Sequence, residues 1–315
     1  MHLTEIFSHT LEITLPVFAM VFMGLGLRRL GWIDTPFVNT ASALVFRATL
    51  PTLVFLSITR ADLDVALNPG LLVFFLIATL TSFAFVWLWA SWRVPHPDRG
   101  VYVQGAFRGN CGIVGLALAA NLYGDYGLSA GGILLGLVII SYNILSVIVL
   151  LAYQPGQSAS WQKIFHDIVR NPLIISVVVA IPFAWLDIGL PGWVLTSGDY
   201  FASLTLPLAL LCIGATVSLE SIRGDSKTAL SSSMMKMIVL PVLCTTAAWL
   251  SGFHGPELGL LFLFFGSPTA AASFVMAKVL GGNDRLAANI IALTTLMASI
   301  TVTLGIFVLR SAGLI

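Results

Sequence analysis

Charge is what this chain has least of. Only 9% of its 315 residues are Asp, Glu, Lys or Arg, while 58% are hydrophobic; an ordinary soluble domain is roughly 25% charged. So little charge cannot cover a water-facing surface, which excludes a soluble domain and points to lipid as the solvent. The formal net charge of +1 offers no basic surface for nucleic acid. Cysteine is also sparse: Cys111, Cys212 and Cys244 sit in apolar runs without CxxC or Cys/His spacing. That excludes a disulfide framework and a zinc site, and leaves these cysteines as small hydrophobes. The histidines, His2, His9, His96, His166 and His254, fall near span ends or in loops, and neither HExxH nor GxSxG occurs. The sequence therefore implies no enzyme, no metal and no cofactor.

What the chain has in abundance is apolar runs of span length. Counting segments of about 20 residues predicts ten spans, at 10–30, 36–59, 69–92, 100–123, 128–152, 171–187, 194–219, 227–251, 257–280 and 286–310. The first lacks a basic flank and a small-residue cleavage site before it, so it is expected to be retained. The longest break, 154–170, places Trp161, Ile164, Phe165, Ile168 and Val169 at helical spacing, the pattern of a short interfacial helix. With the N-terminus outside, the inner ends hold Arg28, Arg29, Arg93, Arg99, Lys163, Arg170, Arg223, Lys227, Lys278 and Arg285, against Arg60 and Arg310 outside. The positive-inside rule then puts both termini outside a cell (inner) membrane.

The two halves resemble one another. Thr49-Leu50-Pro51 matches Thr205-Leu206-Pro207 at an offset of 156, with Leu63 over Leu219, and GNCGIVGLALAANLYG from Gly109 lies over GSPTAAASFVMAKVLG from Gly266 at an offset of 157. Five spans per half is an odd number, so the second half enters the membrane from the opposite side. The expected organisation is a first repeat over 1–153, a cytoplasmic loop over 154–170 and an inverted second repeat over 171–315.

Gly266-Ser267-Pro268 interrupts the ninth span. Pro268 lacks an N–H and clashes with the preceding turn, so an unbroken helix there is costly. Ser267 is expected as the N-cap of a restarted helix with Pro268 as its first residue, and Asn110 as the equivalent N-cap in the fourth span. Two opposed spans broken in this way present helix N-termini to one another near the bilayer midplane, where unpaired N–H groups favour an anion.

NPLIISVVVAIP after the central loop, LTLPLALLCIGATVSL, and the pair GNCGIVGLALA and GSPTAAASFVMAKVLGGN resemble the auxin efflux carrier family over essentially the whole chain. The resemblance implies an all-α polytopic membrane protein of two inverted five-helix repeats with crossed, broken fourth and ninth helices. It also implies a scaffold of the first, second, sixth and seventh spans, a mobile transport domain of the other six, and a homodimer formed through the scaffold. Gly112 stands where such crossovers often carry proline. The short central loop matches bacterial members.

Three cations lie within spans. Arg47, Arg108 and Lys236 sit roughly 14 to 18 Å from the inner span ends at 1.5 Å per residue, with no Asp or Glu at similar depth. Charges there face a cavity or a partner, so the set favours an anionic cargo. Lys278 reads as an interfacial anchor, and Asp187 and Asp199 as outer-surface residues. The expected substrate site comprises Arg108, Asn110, Cys111, Gly112, Ser267, Pro268 and Thr269, with Arg47 and Lys236 close by. The expected function is a secondary carrier of small organic anions, malonate-like or indole-type acids, that moves its site across the lipid by alternating access. A sodium-coupled symporter of the bile-acid type and an anion-sensing receptor are the alternatives.

Overall fold

The computed structural model describes residues 3–153, 161–217 and 226–315. His2, Leu219, Arg223 and residues 154–160 lie outside the described residues, as do the side chains of Trp161, Lys163 and Ile164. The described chain is helical. In order it forms α1 (Leu3–Arg29), α2 (Thr35–Thr59), α3 (Pro69–Arg93), α4 (Arg99–Phe107), α5 (Cys111–Ala152) and α6 (Trp161–Val169). These are followed by α7 (Pro172–Trp185), α8 (Gly192–Thr216), α9 (Lys227–Leu250), α10 (Gly255–Phe265), α11 (Ala272–Val279) and α12 (Asp284–Ser311). Seven of these, α1, α2, α3, α5, α8, α9 and α12, are long and apolar enough to cross a membrane. The outward faces carry apolar residues such as Leu15, Ile77, Val178, Val242 and Ile300, whereas Thr, Ser and Asn side chains are buried inside. That inverts the pattern of a water-soluble bundle, as lipid requires. α6 occupies the position of the expected interfacial helix, with Phe165 and Val169 exposed.

Helix ends near the surface are capped by side chains. Asp34, Asn68, Asn171 and Asn283 accept bonds from Phe37, Leu71, Leu173 and Leu286 N–H, at 2.8, 3.2, 2.9 and 3.0 Å. Pro69 and Pro172 take the first helical position, where a missing N–H is harmless. Proline inside a helix acts differently. Pro51 and Pro241 each follow a single π-turn, Val45–Thr49 in α2 and Met235–Val239 in α9, which absorbs the ring and the lost hydrogen bond. Arg47 and Lys236 both sit in these widened turns.

Two structural differences from the sequence expectation concern α5 and α11. The end of the expected fourth span and the fifth span follow one another within α5 as two helical stretches that meet at Gly124, whose backbone is non-helical (φ 56°, ψ −131°), without an intervening loop. The turn there is tight enough that a Cβ on Gly127 would lie 2.1 Å from Ala119 O. Gly281, aligned with Gly124 between the halves, also has a positive φ of 76°. In the ninth span the helix does not restart at Pro268. α10 ends at Phe265 and α11 begins at Ala272, leaving six residues of irregular chain between them.

α1 packs along α8, and α2 along α7. The remaining long helices form a second group, in which α4 contacts α3, α5, α9 and α12, and α10 contacts α3, α5 and α9. The α1–α8 approach is a backbone contact. A Cβ on Gly214 would stand 1.8 Å from Val21 O, and one on Gly24 2.1 Å from Leu211 O. Small residues that admit such contact are what hold helices together in lipid, where burial of apolar surface drives nothing. Gly214→Leu should therefore lower the melting temperature of the purified protein and separate α1 from α8, as read by loss of a cross-link between cysteines placed on the two helices. Gly26→Leu, with nothing within 4 Å of the added Cβ, should change neither; equal behaviour of the two variants would refute the close-packing argument.

Candidate functional site at the two helix breaks

The interruption after α4 and the one after α10 meet. Gly109 and Thr269 form an antiparallel bridge, Asn110 N donates to Pro268 O at 2.7 Å, and Ala270 N donates to Arg108 O at 3.1 Å. Thr269 locks the junction from its other sides. Its Oγ1 donates to Gly105 O (2.7 Å) and its N–H donates to Thr294 Oγ1 on α12 (3.1 Å). Each stretch of non-helical backbone thus finds its partners in the other, the condition for irregular chain buried in a membrane protein.

Neither expected side-chain cap forms. Ser267 Oγ donates backwards to Leu263 O at 2.7 Å and so belongs to the end of α10. The residue before α11 is Ala271, with no side-chain cap. Asn110 stands before α5, but its side chain makes no capping bond; its carbonyl accepts from Ile113, Val114 and Gly115 instead. The physical reason is the bridge: pairing pulls Pro268 into extended backbone, displaces the restart by four residues and turns Asn110 N–H toward Pro268.

The last carbonyls of α10 are satisfied. The buried Lys236 ammonium donates to Phe265 O at 2.9 Å, and the buried Cys111 thiol to Phe264 O at 3.3 Å. A cation against the last carbonyls of α10 also complements that end of the helix dipole. The donor ends are not satisfied in this way. The N–H groups of Gly112, Ala271 and Ala272 have no protein acceptor among the described residues. Against Ala271 lies a small cavity of about 40 Å³. It is walled by Ile113 and Ala271 from the two new helix starts, by Ser42 and Phe46 of α2, and by Ile213 and Thr216 of α8. Gly112 has the Leu135 side chain 3.3 Å from where a Cβ would be.

Arg108 is buried, and its guanidinium turns toward α5 and α11. Nη1 donates to Tyr142 O (3.3 Å), Ser146 Oγ (3.0 Å) and Met276 Sδ (3.0 Å), and Nη2 to Asn143 Oδ1 (2.9 Å). Nε has no partner. The junction thus gathers Arg108, Asn110, Cys111, Gly112, Ser267, Pro268 and Thr269, with Lys236 beneath it. Arg47 stands apart: it is exposed and lines neither described cavity. Lys236 binds a helix end and borders a second cavity, between Thr79, Tyr142 and Phe265, with room for roughly one water molecule. Asp199 is exposed and forms a two-point ion pair with Arg60 at 2.9 Å, a surface role consistent with its position at a span end. Sequence reasoning missed Ala271, Ile113 and the acceptors of Arg108. Asn143 and Ser146, one turn apart in an apolar run, were the available signal.

A family model described as membrane transport protein matches residues 9–163 and 157–306. An uncharacterized transporter of Methanothermobacter thermautotrophicus is 24% identical over 312 residues, covering 96% of this chain and all of that protein. A candidate malonate transporter of Rhizobium meliloti is 25% identical over 320 residues, 96% of each chain. An uncharacterized transporter of Escherichia coli is 20% identical over 305 residues, 94% of this chain and 96% of its own.

The locked junction generates a stability prediction. Thr269→Val keeps the shape of the side chain but leaves the buried Gly105 carbonyl without a donor, at a cost of about 1 to 3 kcal/mol. Thr269→Ser retains the bond and should cost less. Reversible unfolding in detergent, followed for both variants, checks the ordering; a Thr269→Val protein as stable as wild type would mean that the hydroxyl bond does not hold the junction.

Proposed function

The chain belongs to the membrane transport protein family of the auxin efflux carriers, and from that premise we propose that it is a secondary carrier of small carboxylates in the cell membrane. The observation that supports this most directly is the unequal treatment of the two ends of the broken helices. The carbonyl end of α10 is closed by protein groups, while Ala271, whose N–H has no acceptor among the described residues, lines the cavity between α2 and α8. Helix N-termini with free donors favour a negative group, and no carboxylate of the protein is among the hydrogen-bond partners there.

In this reading the chain crosses the membrane ten times. α4 with the first part of α5, and α10 with α11, make two broken spans, and the second part of α5 and α7 complete the count. The halves are inverted repeats, a reading supported by the paired positive-φ glycines at 124 and 281 and by the exchanged packing of α1 on α8 and α2 on α7. α1, α2, α7 and α8 are the scaffold, through which two copies associate. The other helices carry the anion past it, with both termini outside. Cargo sits at the crossover with its carboxylate on the helix starts and its body against Phe46, Ile113 and Ile213. The malonate named for the Rhizobium relative makes short dicarboxylates the first compounds to assay.

Ala271 offers a direct test. Its φ of −57° already suits proline, so Ala271→Pro deletes one of the free N–H donors with little backbone strain. A hydrogen bond to a charged group is worth about 1.5 to 3 kcal/mol, so carboxylate binding by calorimetry should weaken ten-fold or more while the melting temperature without ligand holds. Undiminished binding in a folded variant would take the anion away from this helix start.

A further inference from the structure

The environment of Arg108 is unusual for a buried cation. Its partners are a carbonyl, a hydroxyl, an amide oxygen and a thioether, supplied by Tyr142, Ser146 and Asn143 of α5 and Met276 of α11. None is ionised, although buried charges in proteins are ordinarily paired with an opposite charge. The three oxygens gathered around the guanidinium are of the kind a chain offers to an alkali cation or another hard cation, which takes carbonyl, hydroxyl and amide oxygens as ligands, whereas the Met276 thioether is a soft donor. The guanidinium is also poorly placed to hold cargo itself, since both terminal nitrogens are engaged and only Nε is free.

We propose that the cage of oxygens formed by Tyr142 O, Asn143 and Ser146 is a monovalent-cation site permanently filled by the chain's own Arg108 guanidinium. This rests on the carrier reading only for its consequence, that the bound anion is balanced by a fixed charge instead of a co-bound metal cation. Arg108 is two residues from Asn110, so its Cα lies at most about 7.6 Å away. Its charge acts across the junction in a medium with little water to screen it. Arg108 is a positioning and electrostatic residue, not a cargo ligand. Because it spans α5 and α11, it also joins the helices that follow the two breaks.

Two variants separate the cage from the charge. In Arg108→Ala/Asn143→Asp the guanidinium is gone and one ligand has become a carboxylate, so the cage should accept sodium. The melting temperature of the purified double variant should rise saturably by several degrees when N-methylglucamine chloride is replaced by sodium chloride at constant ionic strength. Wild type should not respond. This measurement involves no carboxylate cargo, so it reads the cage even if the carrier reading fails. Asn143→Asp alone keeps Arg108, gains an ion pair and is expected to fold at least as well as wild type. By cancelling the fixed charge it should weaken malonate binding ten-fold or more, and a Ser146→Ala control, which removes one neutral ligand but no charge, should weaken it less than three-fold. A double variant that melts at the same temperature in both salts, or a wild type specifically stabilised by sodium, overturns the cage. Should the double variant not fold, the single variant decides: malonate binding by Asn143→Asp equal to wild type overturns the proposal.

Discussion

Every feature of the site follows from the obligation of backbone N–H and C=O groups to find partners where no bulk water is at hand. Interrupting two helices at depth exposes carbonyls at the ends of α4 and α10 and N–H groups at the starts of α5 and α11, each costly if left alone. The chain meets the first half of that obligation internally. Pro268 O, Arg108 O, Gly105 O, Phe264 O and Phe265 O all receive donors from the opposite break or from Lys236 and Cys111. Those bonds fix the two interruptions against each other, and so fix where the remaining donors point. Ala271, whose N–H has no acceptor among the described residues, lines the cavity together with Ile113 from the other helix start.

The buried cations fit the same logic through different means. Lys236 sits at the negative end of α10 and satisfies its last carbonyl, so much of its charge is met by the helix dipole. Arg108 is the C-terminal residue beyond α4 and sends its side chain to neutral acceptors on other helices. Placing a charge near the membrane centre costs about 2.5 to 3.5 kcal/mol on insertion scales. Charge-assisted hydrogen bonds are individually worth about 1.5 to 3 kcal/mol. Even two of its four bonds offset the cost, and so Arg108 can be held in place without a carboxylate and keep its positive field available.

Much of this was legible in the sequence, and the failures are instructive. Pro268 could not lie in a continuous helix, and the aligned Gly109 and Gly266 pointed to the matching break; both follow from local chemistry that context cannot reverse. The restart was misplaced by four residues because Ser267 has two uses for its hydroxyl. Capping forward and bonding back to Leu263 O are both available locally, and only the bridge to Asn110, a contact across more than 150 residues, decides between them. The depth of Arg47, Arg108 and Lys236 was readable from their positions along the spans, but their directions were not. The π-turns ahead of Pro51 and Pro241 rotate Arg47 and Lys236 relative to a regular helix, leaving one exposed and the other buried. The spans at 100–123 and 128–152 leave Gly124 between them, and its positive φ lets the chain turn from one helical stretch to the next within a single residue.

The packing bears on how such a site moves in the proposed carrier. Around the breaks, backbone bridges, Thr269, Lys236 and Arg108 tie α4, α5, α9, α10, α11 and α12 to one another by directional bonds. The α1–α8 contact is equally intimate but steric, set by Gly24 and Gly214. The boundary between the groups at the cavity is mainly apolar: Phe46 and Ile213, with Ser42 and Thr216 beside them, meet Ile113 and Ala271 on the other side. Directional bonds resist displacement over fractions of an ångström, whereas apolar contacts in lipid can exchange neighbours at little cost because hydrocarbon replaces hydrocarbon. In the proposed carrier, relative motion would carry both helix starts together, because the hydrogen bonds that join the two breaks also tie the helices around them to one another.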